Sequence, residues 1–220
     1  MENEFNPTAV ADEIAKYINL ARTQPQEFMK EVQARLDTYE GKNFRQGGVL
    51  FQSQEGKDAP EECLVSLETL KPRSELTRVE GLNKACADLA NFNGENGKTG
   101  HVGANDSKMG ERMDAYGKWI GKCGEVVGVI PTTGLDFVLQ WMIDDGVKTR
   151  GDRKTIMNKE FTKFGVACAK HTVYKTCAVV KFTRDYVEKD AEGNIPEGAL
   201  PQALENDKLK ETMPEELKDL

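Results

Sequence analysis

Two apolar runs late in the chain constrain the fold most: FGVACAK (Phe164–Lys170) and CAVVKFTRDY (Cys177–Tyr186). Each is strand-length and bounded by polar residues, and HTVYKT joins them, so they read as a β-hairpin. The periodic segments ahead of them are helical. Asn6-Pro7 before TAVADEIAKYINLA marks a capped helix with Pro in its first turn. Ile14, Tyr17, Ile18 and Ala21 fall on one face of it. Pro25 opens a second helical segment, with Phe28, Val32 and Leu36 recurring every four residues. Glu75–Gly97 gives a third helix striped by Leu82, Ala85, Cys86, Leu89 and Ala90, stopping near Asn93-Gly94. TGLDFVLQWMIDDG gives a fourth, with Leu135, Val138, Trp141 and Met142 inward and Asp144-Asp145 at its end. Helices first and strands late predict an α+β chain with helices packed on a sheet.

The chain of 220 residues suits one domain plus appendages. We divide it into a domain over 1–186 and an acidic, Pro-punctuated tail over 187–220, extended or weakly helical. Residues 40–60 (EGKNFRQGGVLFQSQEGKDAP) read as a long polar loop or insertion. The net charge is −7, and −6 of it lies in the tail. That distribution argues against nucleic-acid binding, which needs clustered cations. No apolar run is long enough to span a membrane, and the N-terminus does not read as a secretory signal. Cys63, Cys86, Cys123, Cys168 and Cys177 are odd in number and contain no CxxC, which predicts reduced thiols rather than a zinc ribbon. The expected setting is intracellular, cytoplasmic or cytoskeletal/ciliary, with a secreted form as the alternative.

Few residues offer chemistry. GENGKTG at 94–100 fails as a phosphate loop because Phe92 stands where the first Gly is needed. His101 is a candidate general base or metal ligand, although a lone His near a turn is more often structural. His171 falls in the predicted hairpin turn, a poor place for a buried ligand. Glu125, in KCGEVV, is costly to bury unpaired and calls for a partner. Asp152-Arg153 reads as a surface ion pair in a polar loop. Cys123 lacks a neighbouring base, so a small buried residue is the expectation. Ser107 lies six residues past His101.

Taken in order, these residues resemble the CAP superfamily (cysteine-rich secretory, antigen 5 and pathogenesis-related-1 group), nearest its short, cysteine-poor form. Ile18, Asn19, Arg22 and Pro25 are similar to its opening "hN..R..P" pattern. Gly100-His101 resembles its first histidine motif, followed by Arg112 and RMDAYG, and Cys123–Glu125 resembles CGEN. Trp141 begins the "W..S" segment. GDRKTIMNKEFTKFGVACA at 151–169 looks like GHRxNILNPxFTxIGVGxA, the most specific match. The resemblance runs from about Ala11 to Tyr186 and implies an α-β-α sandwich.

It also implies a central cleft of two His and two acids. These fall on His101, Glu125, Asp144 and Asp152. In members that bind a divalent metal the two imidazoles are the main ligands. Here Asp152 replaces the second, which leaves His101 and Asp152 as the candidate ligands for a divalent cation and implies no other cofactor. The first expectation is therefore a non-catalytic interaction module with no catalytic residue assigned. Its protein partners would be met through the 40–60 loop and the 187–220 tail, in a setting such as a cytoskeletal or ciliary assembly. The alternatives are a lipid- or sterol-binding protein and a metal-dependent hydrolase built on the residual tetrad.

Overall fold

The computed structural model describes residues 5–201. The expected acidic tail beyond 201 lies outside the described residues.

Helix α1 (Pro7–Thr23) starts where the sequence asks: the Asn6 Oδ1 accepts from the Ala9 N–H at 3.1 Å, and Pro7 occupies the first turn. Pro25 opens α2 (Pro25–Leu36). The next segment corrects the expectation of a loop over 40–60. It folds as the hairpin of β1 (Asn43–Gln46) and β2 (Val49–Gln52), turned by Gly47 and Gly48, and then enters α3 (Asp58–Glu68). Its high polarity hid the short alternation of Phe44 and Phe51, which are cross-strand partners. The third predicted helix is also shorter than read. Glu75–Val79 is extended and carries β3 (Thr77–Arg78), and α4 runs from Glu80 to Asn96, capped by a left-handed Gly97.

Strands are not confined to the end of the chain. After α5 (Met109–Tyr116) comes β4 (Gly117–Val129), whose glycines and mixed burial disguised it. Helices α6 (Gly134–Ile143) and α7 (Gly151–Ile156) follow, then β5 (Lys163–His171) and β6 (Lys175–Glu188). The main sheet has the order β3-β5-β6-β4. The β3–β5 pair is parallel and the others are antiparallel. The β5–β6 hairpin matches the sequence reading, and β6 extends two residues past Tyr186.

Both faces of the sheet are covered, which makes the α-β-α sandwich. Phe164, Val166, Val180 and Phe182 pack with Ile14, Ile18, Phe28, Phe137 and Trp141 from α1, α2 and α6. Cys177 and Val179 meet Cys86, Leu89 and Ala90 of α4 on the other side. Each fully buried side chain of this size contributes about 1.5–3 kcal/mol. Helix α4 sits so close to the hairpin that a Cβ on Gly94 would strike the Lys170 carbonyl, and one on Gly165 would strike the Leu82 backbone. Two residues of the opening pattern turn out to be architectural. Asn19 pairs its amide with both backbone groups of Leu76, at 2.9 and 3.0 Å. Arg22, fully buried, donates to the carbonyls of Ser74, Ile156, Asn158 and Phe161. It clasps α1 to the segment after α7.

Candidate functional site

The centre of the site is Glu125. It sits on β4 directly opposite Lys181 of β6, on the face toward α4. Its side chain is 3% exposed and that of Lys181 is 0% exposed. A buried carboxylate needs hydrogen-bonded partners, and Glu125 has three. The Lys181 Nζ donates to Oε2. The Arg112 Nη2, from α5, donates to Oε2 at 3.1 Å and to Oε1 at 3.3 Å. The His101 Nδ1 is 2.9 Å from Oε1. Arg112 also binds the His101 carbonyl at 2.9 Å and the Ser107 carbonyl, which pins the loop between α4 and α5 over the carboxylate.

These contacts set the charges. Burial alone would raise the Glu125 carboxyl. The His101 hydrogen bond and the Lys181 and Arg112 charges more than offset it and hold the group at about 2. The same hydrogen bond raises the His101 imidazole above its ordinary value, against some burial. Its side chain is 61% exposed, so this ring forms the outer edge of an otherwise sealed cluster.

The other two predicted residues lie together where α6 gives way to α7. Asp144 ends α6 in the left-handed conformation, at φ 54°. Its Oδ2 accepts from the Asp152 N–H at 2.9 Å and so caps α7. Burial raises its carboxyl. Asp152 is half-buried. Burial first, and the Asp144 charge second, push its carboxyl up to about 6, while the His101 charge pulls slightly the other way. The structure thus joins His101 to Glu125 and Asp144 to Asp152. No hydrogen bond links the two pairs among the described residues.

Three local readings are corrected. Asp152-Arg153 is not a surface pair in a loop but the first turn of α7. Arg153 is buried and binds Glu62 through two bonds of 2.9 and 2.5 Å. His171 is buried at the end of β5. Its Nε2 meets the Lys98 carbonyl at 2.8 Å, and its Nδ1 accepts from Val173 and Tyr174. Cys123 is only partly buried, while Cys63, Cys86 and Cys177 are the buried thiols. All five cysteines are free.

Lys181 is the residue that sequence reasoning missed. Alternation along β6 puts Cys177, Val179 and Lys181 on one covered face, so a lysine there had to have a carboxylate partner. The signal became usable only once β4 was known as a strand.

A divalent metal of the kind the two-imidazole cleft would hold does not fit these residues. His101 turns Nδ1 to Glu125, both Glu125 oxygens are held by cations, and Asp144 caps a helix. Among the described residues no group of three or more His, Cys, Asp or Glu is placed to hold a metal ion.

The family model for CAP, the cysteine-rich secretory protein family, matches residues 18–182. The chain belongs to this family. No curated protein matches it. Among solved structures, an outer surface protein from Borrelia burgdorferi is 19% identical with a TM-score of 0.43, covering 51% of this chain and 79% of that one. An extracellular protein containing a SCP domain from Bacillus anthracis is 18% identical with a TM-score of 0.42. That match covers 57% of this CAP chain but spans only 38% of the other.

Proposed function

We propose that this CAP protein is a non-catalytic interaction module that works inside the cell, within a stable assembly such as a cytoskeletal or ciliary one. The observation that carries the reading is the sealed Glu125. A general base needs a free lone pair at the reacting proton, whereas this carboxylate is held by Lys181, Arg112 and His101 at once. Asp152 supplies no second imidazole to work with His101. Five free thiols suit a reducing compartment. Two measurements test the proposal. Titration of zinc, magnesium and calcium into the full chain should give no saturable heat. Fractionation of a native extract should place the chain in a complex well above its own 24.5 kDa. A saturable metal site abolished by His101→Ala, or a free monomer in the extract, overturns it.

A further inference from the structure

Between the β1–β2 hairpin and the wall made by α6 and the end of β4, a cleft of about 340 Å³ opens, with Asp152 at the side that faces the His101 charge. One wall is aromatic. Tyr39 stacks on Phe44 at 5.0 Å between centroids, and Phe44 stacks on Phe51 at 5.7 Å. The other wall holds Trp141 and the carboxylates Asp144, Asp145 and Asp152.

These carboxylates are not equivalent. Asp144 caps α7, and Asp145 accepts from the Gln54 and Glu55 N–H groups at 2.7 and 2.9 Å. The Asp152 carboxylate makes no hydrogen bond and no ion pair among the described residues. Arg35, the cation in the lining, is engaged elsewhere: it pairs with Asp136 and lies over the Phe44 ring at 5.2 Å. The cleft therefore has a negative excess, with one acceptor to spare. The Trp141 side chain is 1% exposed, and its indole N–H has no acceptor among the described residues. Buried donors without acceptors are rare and call for an explanation.

The rim is apolar. Ile130 and Val147 line the cleft and are 38% and 43% exposed, and Val49 and Leu50 beside Phe51 are 56% and 53% exposed. Ile130 also holds φ 90°, a conformation that β-branched residues rarely adopt. Aromatic faces beside an unpaired carboxylate are the chemistry that recognises an organic cation.

We propose that this cleft takes a lysine or arginine side chain presented by an apolar segment of a partner polypeptide, with Asp152 as its counter-charge. The apolar rim favours a polypeptide over a free amine, because flanking side chains would cover it. The chain's own residues 187–220 have the wrong charge, at a net −6. The assignment names the partner chemistry of the interaction reading above and rests on it.

The test titrates the full chain with a blocked tripeptide carrying lysine between two leucines. Control peptides carry norleucine or glutamate in the middle, and n-hexylamine serves as the free amine. The lysine peptide should bind saturably, about tenfold or more tighter than the norleucine peptide, as expected of a charge-assisted hydrogen bond. The glutamate peptide should not bind. Asp152→Asn should erase the preference for lysine over norleucine, Phe51→Ala should weaken binding several-fold, and Asp88→Asn on the α4 face should change nothing. Melting curves confirm that each variant is folded. Equal binding of the lysine and norleucine peptides, or lysine binding untouched by Asp152→Asn, overturns the site. Hexylamine binding as tightly as the peptide overturns the polypeptide assignment. If native partners are captured equally by the wild type and Asp152→Asn, the cleft assignment falls and the interaction reading stands. If no partner is captured while the peptide still binds, the reverse holds.

Discussion

Two neighbouring groups of buried charge, around Glu125 and around Asp152, are treated in opposite ways. Toward α4, Glu125 meets Lys181, Arg112 and His101 and has no capacity left. Toward the hairpin, Asp152 has no hydrogen-bond partner, and a neighbouring indole N–H has no acceptor. A satisfied charge cluster holds a fold together, whereas an unsatisfied one costs stability and is kept where something binds. The Glu125 cluster is accordingly internal framework, and a ligand is to be sought, on the proposal above, at Asp152.

The comparison breaks most readily at Lys181. Lys181→Met leaves Glu125 buried with one fewer cation and should lower stability in urea by about 3 kcal/mol. The double variant with Glu125→Gln should be less destabilised than Lys181→Met alone. A single-variant loss under about 1 kcal/mol would make the cluster ornamental. Acid unfolding probes the same carboxylate. The Glu125 value is depressed from 4.5 to about 2, so its contribution is complete above the ordinary carboxylate range and is lost as pH falls toward 2. Glu125→Gln should flatten that limb of the stability–pH curve.

Asp152 should respond with the opposite sign. Its carboxyl is raised from 3.8 to about 6, so the folded state favours the proton, and the ionised group costs stability above that range. Asp152→Asn should stabilise the protein by about 2 kcal/mol at pH 7, a gain that fades as pH falls toward 4. Thermal melts across pH would show it. A loss of stability at pH 7 would mean that the carboxylate has a partner after all.

The smallest effect belongs to His101, which is largely exposed. His101→Gln should change stability by less than about 1 kcal/mol. The ring should nonetheless titrate above its ordinary value by NMR and move back down in Glu125→Gln. No such movement would sever His101 from the cluster.

Much of the frame was legible in the sequence because its periods are long and its caps strong. Asn6-Pro7, the stripe from Leu82 to Ala90 and the late hairpin all appear where their residues predict. The pairing of His101 with Glu125 could be anticipated from the cost of burying a lone carboxylate. The hairpin at 43–52 was not legible, since its two phenylalanines are set among glycine and polar residues and only stack after folding. Nor was β4, where Gly121, Gly124 and Gly128 interrupt the alternation to admit neighbouring side chains. Lys181 and Asp152 took their meaning from partners far away in sequence, or from the lack of one, which periodicity does not report.

The Arg22 clasp has a consequence for the order in which the chain matures. Its carbonyl partners at Ile156, Asn158 and Phe161 lie 134, 136 and 139 residues further on. Contacts of such separation are slow to form and come late. During synthesis, α1 emerges long before these partners and cannot dock until the 139 residues to Phe161 have followed, leaving a guanidinium and an apolar helix face uncovered meanwhile. A ribosome stalled before Phe161 should therefore present this helix to chaperones, and one stalled beyond β6 should not.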